Sequence, residues 1–368
     1  MDLNPAELAS EIGATLEEVE HWEATGEIDL DLVTKFAEMA KLPFGYFFLP
    51  EPPPNKLNIS DFRRVAGEEP PPPSRRLLSV LYRCQRRQRW YREYQIKNGA
   101  PALPFVGSKT IKAPIADVAK EIASTVQIGA KYNRIAETWE DTMARSIENI
   151  ESAGIIVSKV SYSDDYTHNT LPVSEFRGFA LSDPYAPLVF VNGADAPSAQ
   201  MFTLAHEVAH IWLGESAVSN LDKTYAGPNE IERFCNAVAA EILVPLDLLK
   251  AEWNTASPDG VEVSRLSRNF RVSKVVMARR GRDAGFVSKS YYDKIYDSQM
   301  MAAAAAKAAI EWGNYYTTKP YEASRRLSAA IIMDTRDGGT MYREAMSLLG
   351  IRTSDGLAKY AQNLQMSL

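Results

Sequence analysis

His206, Glu207 and His210 form an H-E-x-x-H motif, a pattern that can hold a metal ion with a base beside it. On a helix, residues four positions apart lie on one face about 6 Å apart, so both imidazoles can reach one ion. Glu207 is turned by about 100° from His206, where its carboxylate can contact a water molecule without binding the ion. The motif therefore predicts two zinc ligands, His206 and His210, and a general base, Glu207.

A catalytic zinc site needs a third protein ligand, and the residues directly after the motif lack the glycine and histidine of the extended metzincin pattern. The ligand must come from elsewhere, and a second helical pattern at 230–243 could supply a carboxylate, for which Glu230 and Glu232 both qualify. Glu232 is favoured because Asn236 lies one turn later on its face, where an amide can hydrogen-bond and orient a histidine ligand.

Short β-rich runs and helical patterns around the motif predict the elements that position it. Strands are predicted at 154–160, 176–181 and 188–191, after helices at 115–124 and 138–153. The motif helix is predicted to begin at Pro197, with Asp195 as its N-cap. We expect residues 177–181 to form a sheet edge to which an extended substrate adds. The fold class is therefore α+β and mostly helical, with a small sheet.

The N-terminal part of the chain predicts a small helical module joined to the rest by a proline-rich linker. Helical patterns at 5–12, 16–24 and 30–40 have the spacing of a helix-turn-helix, and two proline clusters follow between 50 and 73. A long basic helix is then predicted at 74–98. Its arginines and aromatic residues can bind nucleic acid, but we favour packing of its apolar stripe, with the arginines in solvent or paired with carboxylates.

A second helix-turn-helix pattern follows the metal motif, at 263–270 and 274–282. Residues 264–282 carry seven basic and no acidic side chains, and Lys274, Arg279 and Arg280 are candidates for binding DNA or an acidic partner. The predicted domains are 1–50 (degenerate helix-turn-helix), 51–112 (linker and basic helix), 113–256 (metal-binding domain), 257–290 (second helix-turn-helix-like module) and 291–368 (C-terminal helical region).

Composition excludes several classes of protein. With 45% hydrophobic and 24% charged residues, the chain is typical of globular proteins and lacks an apolar run long enough to cross a bilayer. A net charge of -6 argues against indiscriminate binding to nucleic acid. Cys84 and Cys235 allow only one disulfide, and no secretory signal is evident at the start, so a reducing cytoplasm is predicted.

Several segments together resemble the ImmA/IrrE family of zinc metallopeptidases. The segments are Arg177–Leu181, Leu188–Asn192, Phe202–His210, Glu232–Asn236 and Ala239–Pro245. Trp22-Glu23, Phe47–Pro50 and Asp61-Phe62-Arg63 resemble the Xre-type helix-turn-helix region that precedes the peptidase in many members. The resemblance covers roughly residues 5 to 290.

The resemblance implies a zincin-like peptidase domain with one zinc per chain, held by His206, His210 and Glu232, and with Glu207 as the base. It also implies a cytoplasmic regulator that cleaves a partner repressor and so controls mobile-element or stress genes. The alternative is a zinc-containing antitoxin or transcription regulator that acts by binding a toxin or an operator. A third hypothesis, a purely structural zinc site, is disfavoured because such a site needs no base.

The N-terminal part of the chain departs from the Xre pattern in two ways. Only four residues precede Pro5, so the first Xre helix is expected to be missing or truncated, and the acidic run Glu17–Glu23 would repel DNA. We therefore predict that the N-terminal module docks a protein or forms an oligomer. An oxyanion partner is also needed, and Tyr166, His168, Arg177 and Tyr225 are candidates by residue type.

Overall fold

The computed structural model describes residues 5–40, 44–49, 59–62, 72–135, 138–162, 170–219, 229–305 and 322–367. The chain divides into two compact units, Met1–Leu57 with Pro72–Arg75, and Asn58–Pro71 with Arg76–Leu368. None of the described helices is long and apolar enough to cross a membrane.

The smaller unit contains short helices that match the sequence patterns to within one residue. They are α1 (Pro5–Ile12), α2 (Leu16–Thr25) and α3 (Leu30–Ala40), and a 3-10 helix covers Phe44–Phe48. A capping box between Thr15 and Glu18 begins α2, and Gly26, with a φ of 72°, ends it. The acidic side chains of α2 are exposed. The assignment of these helices to an Xre-type module remains a prediction.

The larger unit contains a mixed five-stranded sheet. Its strands are β1 (Ser60–Phe62), β2 (Ile156–Val160), β3 (Gly178–Leu181), β4 (Leu188–Asn192) and β5 (Ala217–Ser219), in the order β1-β5-β3-β4-β2. β3 pairs antiparallel with both β4 and β5, whereas β1 runs parallel to β5 and β2 parallel to β4. The prediction that residues 177–181 form an open edge is therefore wrong, because β3 has a paired neighbour on each side.

The remaining helices follow the predicted pattern of a mostly helical α+β protein. They are α4 (Arg75–Lys97), α5 (Ile115–Thr125), α6 (Ala130–Asn133), α7 (Trp139–Ser152), α8 (Pro197–Leu213), α9 (Glu230–Leu243), α10 (Leu246–Glu252), α11 (Asp259–Phe270), α12 (Lys274–Asp283), α13 (Lys289–Ala305), α14 (Arg325–Arg336), α15 (Tyr342–Leu349) and α16 (Ser354–Asn363). The predicted fold class is thus confirmed.

One hydrophobic cluster holds the metal motif in place. Every residue of β3 and β4 is buried, α8 packs on both strands, and α9 packs on α8 and α5. The same cluster includes Val208 of α8, Val238 of α9, Leu266 of α11 and Met277 of α12. Residues 257–290, predicted as a second helix-turn-helix-like module, therefore share their core with the helices that carry the metal motif.

The long basic helix α4 forms buried hydrogen bonds with the C-terminal region. Arg87 is buried, and its guanidinium donates to the carbonyl oxygens of Leu348 and Glu322, both at 2.8 Å. Arg92 pairs with Asp183 at 3.0 Å, while Leu77, Leu78, Leu81 and Cys84 are buried as the packing interpretation predicts. That interpretation is confirmed for the apolar stripe and for Arg92, but the burial of Arg87 against backbone carbonyls was not predicted.

Candidate metal centre

Helix α8 carries the H-E-x-x-H motif through the interior of the larger unit. Every side chain from Gln200 to Trp212 is buried. The helix begins at Pro197, whose missing N–H costs nothing in the first turn. Ala196 is the N-cap, so the prediction that Asp195 caps the helix is wrong. Asp195 instead pairs with Arg177, with 2.5 Å between Oδ2 and Nη1.

Three side chains from two helices meet at one point. The Nε2 atoms of His206 and His210 are 3.1 Å apart. They lie 3.2 Å and 3.1 Å from Oε2 and Oε1 of Glu232, respectively. All three side chains are buried. The structure thus brings together two imidazole nitrogens and one carboxylate, and these three side chains could hold a metal ion.

The spacing and charge of this cluster fit a zinc ion. Four ligands at about 2.0 to 2.1 Å in a tetrahedron lie about 3.3 Å from one another, close to the separations between the three side chains. Burial lowers the pKa of His210, which leaves its ring neutral and able to donate a lone pair. Burial alone would raise the pKa of Glu232, but the two imidazoles hold it well below its usual range. The carboxylate is therefore ionised, as metal binding requires.

Helix α9 distinguishes between the two candidate carboxylates. Its N-cap is Asn229, whose side chain accepts a hydrogen bond from the backbone N–H of Ile231 at 2.9 Å. The Glu230 side chain points outward and is 71% exposed, whereas Glu232 faces the histidines. Asn236 is buried one turn after Glu232. The structure brings Glu232, and not Glu230, to the cluster.

Glu207 is completely buried next to the metal cluster. Its carboxylate oxygens have no hydrogen-bond partner among the described residues. Burial and the negative charge of Glu232 raise its pKa well above the usual value. Gly178 of β3 lies against it, and a Cβ atom there would be 2.8 Å from Glu207 Oε1. The same Cβ atom would be 2.6 Å from Thr203 Cγ2 and 2.8 Å from the Phe190 carbonyl oxygen, so this position requires glycine.

Ser219, at the end of β5, is a site residue that sequence reasoning missed. It is fully buried, and its hydroxyl donates to Glu232 Oε1 at 3.3 Å. The three-residue strand that carries it is too short for a recognisable alternation of polar and apolar residues. Its position depends on pairing with β3, opposite Gly178, which no local pattern reveals.

Of the four oxyanion candidates, only Arg177 lies among the described residues. Arg177 lies at the start of β3, and its backbone N–H donates to the Ser219 carbonyl at 3.1 Å. This contact places it at the edge of the metal centre, although its guanidinium pairs with Asp195. Tyr166, His168 and Tyr225 lie outside the described residues.

The three basic residues predicted to bind DNA or a partner have different environments. Lys274 is exposed, and Arg279 donates to Asp283 at 3.1 Å. Arg280 is buried, and its guanidinium donates to the Val244 carbonyl at 3.0 Å and to the Glu241 carboxylate. This environment contradicts the predicted binding role of Arg280, because donors held by protein acceptors are not available to a partner.

Two segments of the chain match known family models, and one of them carries the metal centre. Residues 163–281 match the family model of the IrrE N-terminal-like domain, peptidase family M78. Residues 323–363 match a domain of unknown function, DUF8813. The first match contains His206, Glu207, His210 and Glu232.

Two curated relatives match the same region. The radiation response metalloprotease IrrE of Deinococcus deserti is 31% identical over 115 residues, which are 30% of this chain and 40% of the relative. IrrE of Deinococcus radiodurans is 34% identical over 96 residues, 25% of this chain and 29% of the relative. The chain thus covers less than half of the length of either relative. Residues 163–281 are thus similar to the IrrE N-terminal-like peptidase domain and to the corresponding part of two radiation response metalloproteases.

Proposed function

We propose that this chain is a zinc-dependent endopeptidase. The observation that carries the proposal is the meeting of His206, His210 and Glu232 at ligand distances, with Glu207 buried beside them. A structural metal site has no use for a buried carboxylate outside the ligand set, whereas hydrolysis needs one as a base.

The three ligands would hold one zinc ion, with Asn236 and Ser219 next to them. When bound, zinc would act as a Lewis acid that polarises the scissile carbonyl and lowers the pKa of water to about 7. Glu207 accepts the proton of the attacking water and passes it to the departing amine. Burial and the negative charge of Glu232 raise the pKa of Glu207, which makes its carboxylate a stronger proton acceptor.

We infer that the substrate is a partner protein, and a transcriptional repressor of mobile-element or stress genes is the proposed one. The resemblance to the ImmA/IrrE family and the radiation-response relatives support a regulatory role. A cytoplasmic location agrees with such a target. Binding of DNA, or of a toxin as an antitoxin, is the alternative function.

The substitution Glu207→Gln tests the proposal because it keeps the shape of the side chain and removes the base. We expect wild-type zinc content, measured by inductively coupled plasma mass spectrometry, and a fall in cleavage of the repressor encoded beside the gene of about 10²-fold or more. Glu230→Gln, an exposed glutamate on α9, is the matched control and retains activity.

The same pair of variants separates cleavage from binding in cells. If cleavage is the function, Glu207→Gln leaves the repressor intact on an immunoblot and its genes stay repressed. Full biological activity of Glu207→Gln would reject the endopeptidase proposal in favour of an antitoxin or binding regulator.

A further inference from the structure

We propose that residues 60–62 occupy the sheet edge at which an extended substrate would bind, so that the chain inhibits its own metal centre. This inference rests on the proposed peptidase function. It gives a role to Asp61 and Phe62, which the metal chemistry does not use. It also replaces the predicted substrate edge on β3, which is paired on both sides.

The β5 edge of the sheet runs alongside the metal centre. Ser219, its last residue, contacts Glu232 through its hydroxyl and pairs with Gly178, which lies against Glu207. A peptide that adds to a sheet edge forms backbone hydrogen bonds whatever its sequence. The free edge of β5 would therefore hold a substrate backbone next to both the base and a metal ligand.

In this structure the chain itself fills that edge. β1 pairs with β5 in parallel, with Ser60 opposite Ala217 and Phe62 opposite Ser219. The backbone N–H of Ser60 donates to the Ser216 carbonyl at 3.2 Å. A second extended segment cannot use the same backbone groups of β5 while β1 is in place.

The burial of the site indicates the same closed state. His206, Glu207 and His210 have no exposed surface, and Glu232 is 1% exposed. A peptide bond must come within hydrogen-bond distance of Glu207 to be hydrolysed. Access therefore requires a rearrangement, and displacement of β1 frees the β5 edge, whose Ser219 contacts Glu232.

The sequence around β1 limits how strongly it can hold the β5 edge. Among the described residues, three residue pairs join β1 to β5. Proline clusters at 52–54 and 70–73 flank the segment in the sequence, and proline cannot donate to a β-ladder. An extended substrate segment without proline offers a backbone donor at every residue, so it can compete with β1 for this edge.

Substitutions at Ser60 test the inference with a matched control. Ser60 is exposed, so neither variant leaves a cavity in the core. Ser60→Pro removes the hydroxyl and the backbone donor to Ser216, whereas Ser60→Ala removes only the hydroxyl. We expect faster amide hydrogen exchange in a peptide that covers residues 214–219 for Ser60→Pro, and wild-type exchange for Ser60→Ala. Identical exchange in the two variants would overturn the inference.

A tripeptide hydroxamate, a probe that binds both the zinc and a sheet edge, provides a second measurement. Loss of one ladder hydrogen bond is expected to tighten its binding to the zinc-loaded Ser60→Pro variant by about fivefold relative to Ser60→Ala, with a similar gain in the rate of repressor cleavage. Equal or weaker probe binding by Ser60→Pro would also overturn the inference. Tighter probe binding with no cleavage by either variant would support the occluding strand and reject the endopeptidase function.

Discussion

Glu207 and Glu232 are both buried at the metal cluster, yet their surroundings shift their pKa values in opposite directions. The imidazoles of His206 and His210 lower the pKa of Glu232, whereas burial and the negative charge of Glu232 raise the pKa of Glu207. Environments that push two carboxyl pKa values apart are typical of sites that divide roles between acids. Glu232 is thereby suited to bind a cation, and Glu207 to exchange protons.

The ligand assignment predicts the result of removing each side chain. His206→Ala, His210→Ala and Glu232→Ala should each reduce zinc content sharply, because three protein ligands leave no redundancy. Glu230→Ala is the control and should retain about one zinc per chain, as measured by mass spectrometry. Full occupancy in Glu232→Ala would place the third ligand elsewhere.

The contact of Ser219 with Glu232 predicts a weaker effect on the same property. Ser219→Ala removes the hydroxyl that orients a ligand, and such changes typically weaken metal binding by about 10- to 100-fold. Ser158→Ala removes another buried strand hydroxyl, one that donates to the Glu322 carbonyl at 2.6 Å, and should leave zinc affinity unchanged. Titration against a chelating dye measures both. Equal affinities would show that Ser219 does not support the site.

The sequence predicted the parts of the site that depend on helical spacing. His206, Glu207 and His210 share one helix, and the relation of Glu232 to Asn236 is also a spacing of four. Ser219 and the burial of Arg280 were not predictable in this way. Their partners, Glu232 and Glu241, lie on other elements, and only the packing of those elements brings them together.

At the scale of elements, helix α12 shows that a basic composition alone does not make a helix a binding surface. Arg280→Ala should destabilise the protein by about 3 kcal/mol, because it leaves the Glu241 carboxylate without its buried partner. Lys274→Ala, on the exposed side of the same helix, should change stability by less than about 0.5 kcal/mol. Urea unfolding of the two variants tests this difference. Similar losses in both would contradict the structural role of Arg280.

The Lys274 prediction extends to nucleic acid. If the protein binds an operator, charge reversal at Lys274 should reduce a gel shift, because loss of one phosphate contact weakens binding to any sequence. Deletion of residues 1–50 should leave the shift nearly intact, since the exposed acidic face of α2 repels phosphate. The opposite pattern would assign DNA binding to the N-terminal module.

Helices were predicted more completely than strands, for a physical reason. The periodicity of α1, α3 and α7 extends over two turns or more and places their bounds within about one residue. β1 and β5 contain three residues each and were not predicted. Such strands are defined by their pairing partners, which are distant in sequence, so their order in the sheet and the occupied edge of β5 came only from the structure.

At the scale of the whole larger unit, a polar junction joins the C-terminal helix α14 to α4 and α7. Arg326 of α14 donates to the Tyr91 hydroxyl of α4 at 2.7 Å and to the Glu151 carbonyl of α7 at 3.0 Å. The backbone N–H of Arg326 also donates to Glu151 Oε2 at 3.3 Å. Arg326 therefore links α14 to α4 and α7, and the Glu151 carboxyl group lies at this junction.

This junction predicts how the stability of the unit depends on pH. Burial raises the pKa of Glu151 from 4.5 to about 7, so the folded protein binds this proton more tightly than the unfolded chain does. Its contribution is complete below pH 4.5 and is lost as the pH rises to about 7, by about 3 kcal/mol in the free energy of unfolding. Glu151→Gln resembles the protonated side chain and should remove this loss. Urea unfolding at pH 5, 6, 7 and 8 should show the variant gaining stability over wild type as the pH rises, whereas parallel curves would show that Glu151 does not control the junction.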